Sequence, residues 1–234
     1  MSDNPKNVPP MSNARAEIFA NIRRSLGVTG TEAPRRDAVD DRIERAPKGL
    51  IPGRGQVTGA ERVALFKTEA ERAQASVATV ASADEVPAAV ADYLRRHNLP
   101  ATVRMGADAR LAGMPWGETA LEIARGVSDG RDLNGVSHAF AGIAESGTLA
   151  LVSGEDNPTT INFLPDNHIV VVNAKDLAGD YEEMWGRIRF TYGKGQMPRT
   201  VNFVTGPSRS GDIEQTLLLG AHGPRRVHIV VVEG

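Results

Sequence analysis

Residues 142–149, with the sequence GIAESGTL, place a carboxylate among small and apolar residues. The Ser146-Gly147 pair predicts a strand break at which a ligand can approach the backbone closely. Apolar neighbours raise the pKa of a carboxylate, as a general base or nucleophile requires, so Glu145 is a candidate catalytic residue. Gly147 and Thr148 are candidate ligand-binding residues beside it. Spacing alone favours a simpler interpretation, a turn whose carboxylate accepts hydrogen bonds from local N–H groups.

Residues 206–215, with the sequence GPSRSGDIEQ, combine glycines, two serine hydroxyls and an arginine ahead of a predicted helix. Backbone N–H groups and a guanidinium can bind an anion there, but two acidic residues in the first helical turn would repel a phosphate. A carboxylate or a neutral polar ligand is therefore favoured. The candidates are Gly206, Ser208, Arg209 and Ser210 for ligand binding and Asp212 for catalysis. A helix start with Arg209 paired to Asp212 explains the loop about as well.

One of the five histidines is a candidate ligand-binding residue. His222 lies between Gly220 and Gly223 in a predicted turn, where an imidazole is free to meet a ligand. The other four histidines lack the close spacing that is typical of metal ligands, so no metal site is predicted.

The candidate loop lies between two predicted strands. Residues 200–204 alternate as a strand does, and residues 227–232 form an almost continuous β-branched run that is typical of a strand covered on both faces. A helix between them, ending at Gly220, would make the two strands parallel. Open α/β sheets bind ligands at the carboxyl ends of such strands, so this position supports the candidate site.

The rest of the chain predicts an α/β fold with a mainly parallel sheet that is covered by helices on both faces. Capping boxes at Thr58 and Ser82 predict two helices, each followed by a strand, at residues 77–81 and 100–105. Further predicted elements are a hairpin or two strands at residues 136–152, a strand at 169–172 and a helix at 180–190.

Residues 1–57 are predicted to form an N-terminal arm, partly disordered, with one short amphipathic helix that ends at Gly27. Residues 58–234 are predicted to form the compact domain. Composition favours a flexible arm, and the exposed amphipathic helix keeps open the alternative that the arm wraps around a partner.

Composition excludes several classes of function. The net charge of −2 and the pI of 6.2 give no broad attraction for nucleic acid, and no apolar run is long enough to span a membrane, so a cytoplasmic protein is expected. The absence of cysteine excludes thiolate nucleophiles and cysteine-ligated iron-sulfur clusters within these 234 residues. We expect no cofactor in this chain.

Three motifs together resemble the LUD domain family: GIAESGTL at 142–149, LPDNHIVVV at 164–172, and GPSRSGDIEQ at 206–215 followed by GAHGPR. The resemblance extends to the N-terminal helix and covers nearly the whole chain. Ser146 stands where the family often has threonine, which keeps the hydroxyl. The resemblance implies a fold similar to that of ribose-5-phosphate isomerase, glucosamine-6-phosphate deaminase and the CoA transferases.

The same resemblance implies a role in oxidising L-lactate to pyruvate together with two iron-sulfur partner proteins that carry the clusters. A small 2-hydroxy acid is a possible ligand, and an oligomer is possible. Two alternatives stay open. One is a free-standing enzyme that resembles a CoA transferase or a sugar-phosphate isomerase and uses Glu145. The other is a non-catalytic adapter that binds its partners through the arm.

Overall fold

The computed structural model describes residues 11–210 and 218–234. The chain forms two compact units, Met1–Pro47 and Lys48–Gly234. Over the described residues the helices are α1 (Met11–Leu26), α2 (Ala33–Arg45), α3 (Gly59–Arg72), α4 (Val86–Arg96), α5 (Ala109–Ala112), α6 (Thr159–Phe163) and α7 (Tyr181–Tyr192). The strands are β1 (Ser76–Val80), β2 (Thr102–Met105), β3 (Glu122–Arg125), β4 (Asn134–His138), β5 (Ala141–Ile143), β6 (Thr148–Val152), β7 (Asn167–Asn173), β8 (Leu177–Ala178), β9 (Val201–Val204), β10 (Arg209–Ser210), β11 (Leu218–Leu219) and β12 (Arg226–Val232).

The first unit contains α1 and α2. The amphipathic helix predicted from the sequence is confirmed as α1, whereas α2 was not predicted. Composition hid α2 because it carries many arginines and aspartates and few apolar residues. A proline in its first turn and Ala46 in the left-handed conformation after its last residue mark its two ends. Apolar side chains of this unit remain exposed, among them Ile18, Phe19 and Ile22.

A six-stranded parallel sheet forms the centre of the second unit, in the order β1-β12-β7-β4-β2-β3. β12 and β7 lie side by side, and their β-branched residues are buried on both faces. Alternate residues of β12 point to opposite sides, so Val230 contacts one core and Val231 the other. The predicted α/β class with a mainly parallel sheet is confirmed.

Different layers cover the two faces of this sheet. One face packs against α4, through Val90 and Leu94. The other packs against Phe66 and Ala70 of α3 and also against Leu149 and a neighbouring leucine of a second sheet. Helices thus lie on both faces, as predicted, but a small sheet shares one face with α3.

The second sheet has the order β8-β5-β6-β9. β5 and β6 are antiparallel and turn at residues 144–147, which confirms the predicted hairpin. The far side of this sheet packs on α7, where Met184 and Ile188 are buried. Asp180 begins α7 by accepting a hydrogen bond from the Glu183 N–H at 2.8 Å.

The predicted pairing of the last two long strands is wrong. β9 pairs with β6, antiparallel, in the second sheet, whereas β12 pairs with β1 and β7. All four residues of β9 are only half-buried, in keeping with an edge strand. The predicted helix between them falls mainly on residues 211–217, outside the described residues, and Leu218 and Leu219 at its expected end form β11 instead.

The two predicted capping boxes also differ from the structure. Thr58 precedes α3 but its side chain makes no capping hydrogen bond. Ser82 precedes a short 3-10 turn, Ala83–Glu85, again without a side-chain cap. The Glu85 carboxylate instead accepts a hydrogen bond from the Ala81 N–H at 3.1 Å. Among the described residues, no helix has the length and apolar character to cross a membrane.

Candidate functional site

Glu145 lies in the turn of the β5–β6 hairpin and is only 4% exposed. Its N–H donates to the Gly179 carbonyl at 3.1 Å, and its Oε1 accepts a hydrogen bond from the Tyr181 N–H at 3.3 Å. Oε2 is buried and has no hydrogen-bond partner among the described residues. The carboxylate therefore lies at the N-terminus of α7, where the helix dipole favours negative charge.

Four hydroxyl groups form a hydrogen-bonded cluster next to this turn. Thr148 is its centre, with Oγ1 2.8 Å from Ser146 Oγ, 3.1 Å from Tyr181 Oη and 2.7 Å from Thr205 Oγ1. Ser146 Oγ also donates to Tyr181 Oη at 3.2 Å. Because Thr148 is fully buried, the cluster ties the hairpin to the ends of β9 and α7.

Gly147 and Gly206, both candidate ligand-binding residues, contact α3. Gly147 has φ +62 and Gly206 has φ +67, a conformation that favours glycine. A Cβ at Gly147 would overlap the backbone nitrogen of Ala70, and one at Gly206 would overlap the carbonyl oxygen of Ala73. These contacts explain both glycines by close packing of the loops on the helix.

The segment before α3 covers Glu145. Gly55 is buried in a 3-10 turn, and a Cβ there would overlap the Gly179 carbonyl and lie 3.3 Å from Glu145 Cβ. The next residue, Gln56, donates from Nε2 to Asp180 Oδ2 at 2.7 Å. Burial alone would raise the pKa of Asp180, but hydrogen bonds from Glu183 and Gln56 lower it below its usual value. Residues 53–56, which the sequence analysis assigned to the arm, thus pack against the hairpin and α7.

The second group of candidates lies around β10. Ser208 donates its N–H to the Pro224 carbonyl at 2.8 Å, and its Oγ accepts a hydrogen bond from the His222 N–H at 3.3 Å. Arg209 and Ser210 pair with β11, and the side chains of Arg209 and His222 are exposed. Asp212 lies outside the described residues.

The two groups of candidates meet through β9. Thr205, at the end of β9, joins the hydroxyl cluster, and Gly206 follows it. Ser208 bonds to Pro224 and so lies near the amino end of β12, which begins at Arg226. This position of Ser208 differs from the carboxyl edge of the parallel sheet that the sequence predicts for the candidate loop.

A polar cavity at that carboxyl edge was not predicted. It has a volume of about 280 Å³ and is lined by Asp108, Arg110, His138, Ser153 and Asn157, among others. Asp108 follows β2 and His138 ends β4, the neighbouring strand. In the sequence, acidic, basic and histidine side chains do follow or end two predicted strands. Only the strand order shows that these two strands are neighbours and that the side chains share one cavity. Asn157, in the loop after β6, thus joins residues that follow β2 and β4 at one edge of the sheet.

Comparison with solved structures supports the fold. The chain is similar to a crystal structure of a DUF162 family protein from Deinococcus radiodurans, with a TM-score of 0.53 and 23% sequence identity. The similarity covers 75% of this chain and 99% of that structure. An α/β protein with this arrangement of sheets is therefore the class to which the chain belongs.

Comparison of sequences finds similarity to a known family over part of the chain. Residues 133–232 match the family model described as LUD domain, which confirms over this part the resemblance seen in the motifs. The same part is similar to proteins named lactate utilization protein C: 33% identical over 99 residues in Shouchella clausii and 37% identical over 100 residues in Oceanobacillus iheyensis. Each alignment covers 42% of this chain and 43% of the relative, so the matched part spans less than half of either protein.

Proposed function

We propose that the protein is a component of a cytoplasmic system that oxidises L-lactate to pyruvate and acts with two iron-sulfur partner proteins. The observation that carries this proposal is the similarity of residues 133–232 to proteins named lactate utilization protein C. That part includes the candidate turn at Glu145, the hydroxyl cluster member Thr148 and β12, so the similarity covers the residues that build the centre of the fold.

The amino-acid composition supports a division of labour between the proteins. Cysteine thiolates hold most iron-sulfur clusters, and these 234 residues contain no cysteine. A system that passes electrons from lactate through such clusters therefore needs partner chains to hold them. This chain would contribute binding of the substrate or assembly of the complex.

Genetic deletion with complementation tests the proposal. Loss of the gene should abolish growth on L-lactate while leaving growth on pyruvate intact, and the wild-type gene should restore it. Affinity purification of the tagged full chain should recover two cysteine-rich proteins from cells grown on lactate. Unchanged growth of the deletion strain on L-lactate would refute the proposed function.

A second candidate function is acyl transfer or isomerisation at Glu145. The unpartnered, buried Oε2 favours it, because reactive carboxylates are often incompletely paired. The cover formed by Gly55 would have to open before a CoA ester could reach the carboxylate. Incubation with a panel of acyl-CoAs followed by hydroxylamine should modify Glu145 in the wild type and leave Glu145→Gln unmodified. An unmodified wild-type protein would exclude the acyl-transfer form of this function.

A further inference from the structure

We infer that the cavity lined by Asp108, Arg110 and His138 binds a small hydroxy carboxylate, with its carboxylate on Arg110 and its hydroxyl on His138. The site differs from both groups of candidates found by sequence analysis. The identity of the acid as a 2-hydroxy acid such as lactate rests on the proposed function, whereas the binding site rests on the geometry of the cavity.

The cavity has the position and size for a small ligand. It lies at the carboxyl ends of the adjacent parallel strands β2 and β4, where open α/β sheets place their ligands. A Cβ at Gly106 would overlap the carbonyl oxygen of Asp156, so glycine lets the two loops that border the cavity pack closely. Its volume of about 280 Å³ is just below the usual range for ligand pockets, about 300–1,000 Å³, which suits a molecule of few atoms.

Arg110 is held in place by hydrogen bonds but keeps N–H groups that can still donate to a ligand. Its Nε and Nη2 donate to Asp108 Oδ1 and Oδ2 at 3.0 and 2.6 Å, and Nη1 approaches the Ala139 carbonyl at 3.4 Å. These bonds use one N–H of each nitrogen and leave one N–H on both Nη1 and Nη2. The side chain is 46% exposed. A fixed guanidinium with a free N–H on each terminal nitrogen matches the geometry of a carboxylate.

His138 supplies a hydrogen-bond acceptor. Its Nδ1 lies 2.8 Å from the Ala139 carbonyl, which can only accept, so Nδ1 carries the proton and Nε2 has the lone pair. Nε2 has a weak contact with Asn173 Nδ2, at 3.5 Å. Burial and the neighbouring Arg110 lower the pKa of His138 below 6.5, which keeps the imidazole neutral at pH 7. A ligand hydroxyl can therefore donate to Nε2.

The charges around the cavity disfavour a dianion more strongly than a monoanion. Arg110 faces Asp108, which it neutralises, and Asp156 adds a second carboxylate at the rim. Asp176, which accepts a hydrogen bond from Asn173 on the Nε2 side of the imidazole, also acts on His138. A phosphate dianion would meet these carboxylates with only one guanidinium to offset them, whereas a monoanionic carboxylate carries half that charge.

Calorimetric titration of the full chain with L-lactate, glycolate and inorganic phosphate tests the inference. The wild type should bind the hydroxy acids and bind phosphate more weakly. Arg110→Gln and His138→Asn should each weaken hydroxy-acid binding about tenfold or more, since each removes one charged or buried hydrogen bond. Asparagine can still donate to the Ala139 carbonyl, so His138→Asn removes chiefly the acceptor at Nε2.

The chain offers a matched control in Arg131. Its Nε and Nη2 donate to Asp129 Oδ2, and its N–H to Asp129 Oδ1, in a pair with the same spacing as Asp108 and Arg110 but on the exposed surface. Arg131→Gln should bind like the wild type. Arg110→Lys, which keeps the charge, covers the case in which Arg110→Gln does not fold, and it should still bind more weakly because a lysine cannot bind a carboxylate bidentately.

The outcomes separate this inference from the proposed function. If no hydroxy acid binds the folded wild type at millimolar concentration, or if the Arg110 and His138 variants bind equally well, the cavity is not the site. A deletion strain that still fails to grow on lactate would then leave the proposed function intact. Conversely, binding that depends on Arg110, together with normal growth of the deletion strain, would support the site and refute the pathway.

Discussion

Buried polar side chains of the second unit have two different roles. His168 and His228 lie inside the six-stranded sheet and pair with Ser137 and Ser76, at 2.6 and 2.8 Å. They are explained by the core. Glu145 and His138 lie where sheets and loops meet, and each has a polar atom that the protein leaves without a strong partner. The two core histidines also keep one ring nitrogen each, His168 Nδ1 and His228 Nε2, without a partner among the described residues. Position at a junction of sheets and loops, beside a cavity or a turn, therefore distinguishes the candidate residues better than incomplete pairing does.

The buried histidines predict how stability depends on pH. Burial lowers the pKa of His168 to about 3 and that of His228 to about 4, whereas both titrate near 6.5 in the unfolded chain. Below pH 6.5 the unfolded state binds more protons, so the free energy of unfolding should fall as the pH drops toward 4. Each histidine contributes up to about 1.4 kcal/mol per pH unit.

Urea unfolding between pH 7 and pH 4 measures this dependence. His228→Gln should reduce the slope, and the matched variant His222→Gln, at an exposed histidine, should keep it. A free energy of unfolding that stays constant from pH 6.5 to pH 5 would contradict the lowered pKa values of both buried histidines.

Gly147 predicts a steric effect at a single position. Gly147→Ala should destabilise the protein by about 2–4 kcal/mol, since the new Cβ overlaps the backbone of Ala70 in a left-handed conformation. Gly186→Ala is the control, because nothing lies within 4 Å of a Cβ there and the residue is inside α7. That change should stabilise the protein by about 0.5–1 kcal/mol. Chemical unfolding of both variants would show opposite signs if the turn packs on α3 as described.

At the scale of elements, sequence patterns predicted what local forces determine. The β-branched run of β12 and the apolar face of α7 can be recognised in the sequence, because each pattern is formed by residues within one element. The pairing partner of β9 cannot be recognised in this way. The four half-buried residues of β9 are explained only by its position at the edge of the second sheet. The packing of Gly55 and Tyr181 around Glu145 could not be predicted either, because these residues come from distant parts of the chain. The same holds for the cavity, which needs β2 and β4 to be neighbours.

The starts of α7 and α3 predict different effects of removing a capping residue. Asp180→Ala should cost about 1–2 kcal/mol, since it removes the bond from the Glu183 N–H together with the bond from Gln56. Thr58→Ala should cost less than about 0.5 kcal/mol, because the Thr58 side chain makes no capping bond. Equal losses in thermal or urea unfolding would mean that the capping box predicted from the sequence forms in solution.

For the whole molecule, two truncations test where the folded unit begins. Removal of residues 1–47 takes away a unit whose described side chains, from residue 14 onward, are all exposed or half-buried. Removal of residues 1–57 also takes away the buried Gly55 and the bond from Gln56 to Asp180. The first truncation should leave the melting temperature within about 2 °C of the full chain. The second should lower it by several degrees, at roughly 2–4 °C for each kcal/mol lost.

The same two truncated proteins distinguish between two roles for the chain, a catalytic subunit and an adapter. An adapter that holds its partners through the arm should lose them when residues 1–47 are removed, even if the remaining domain stays folded and keeps the proposed binding of hydroxy acids. If the first truncation still recovers the two proposed iron-sulfur partners, the contact lies on the α/β domain instead. Loss of ligand binding only in the second truncation would then follow from its weakened fold, because Gly55 and Gln56 contact the hairpin and α7 and do not line the cavity.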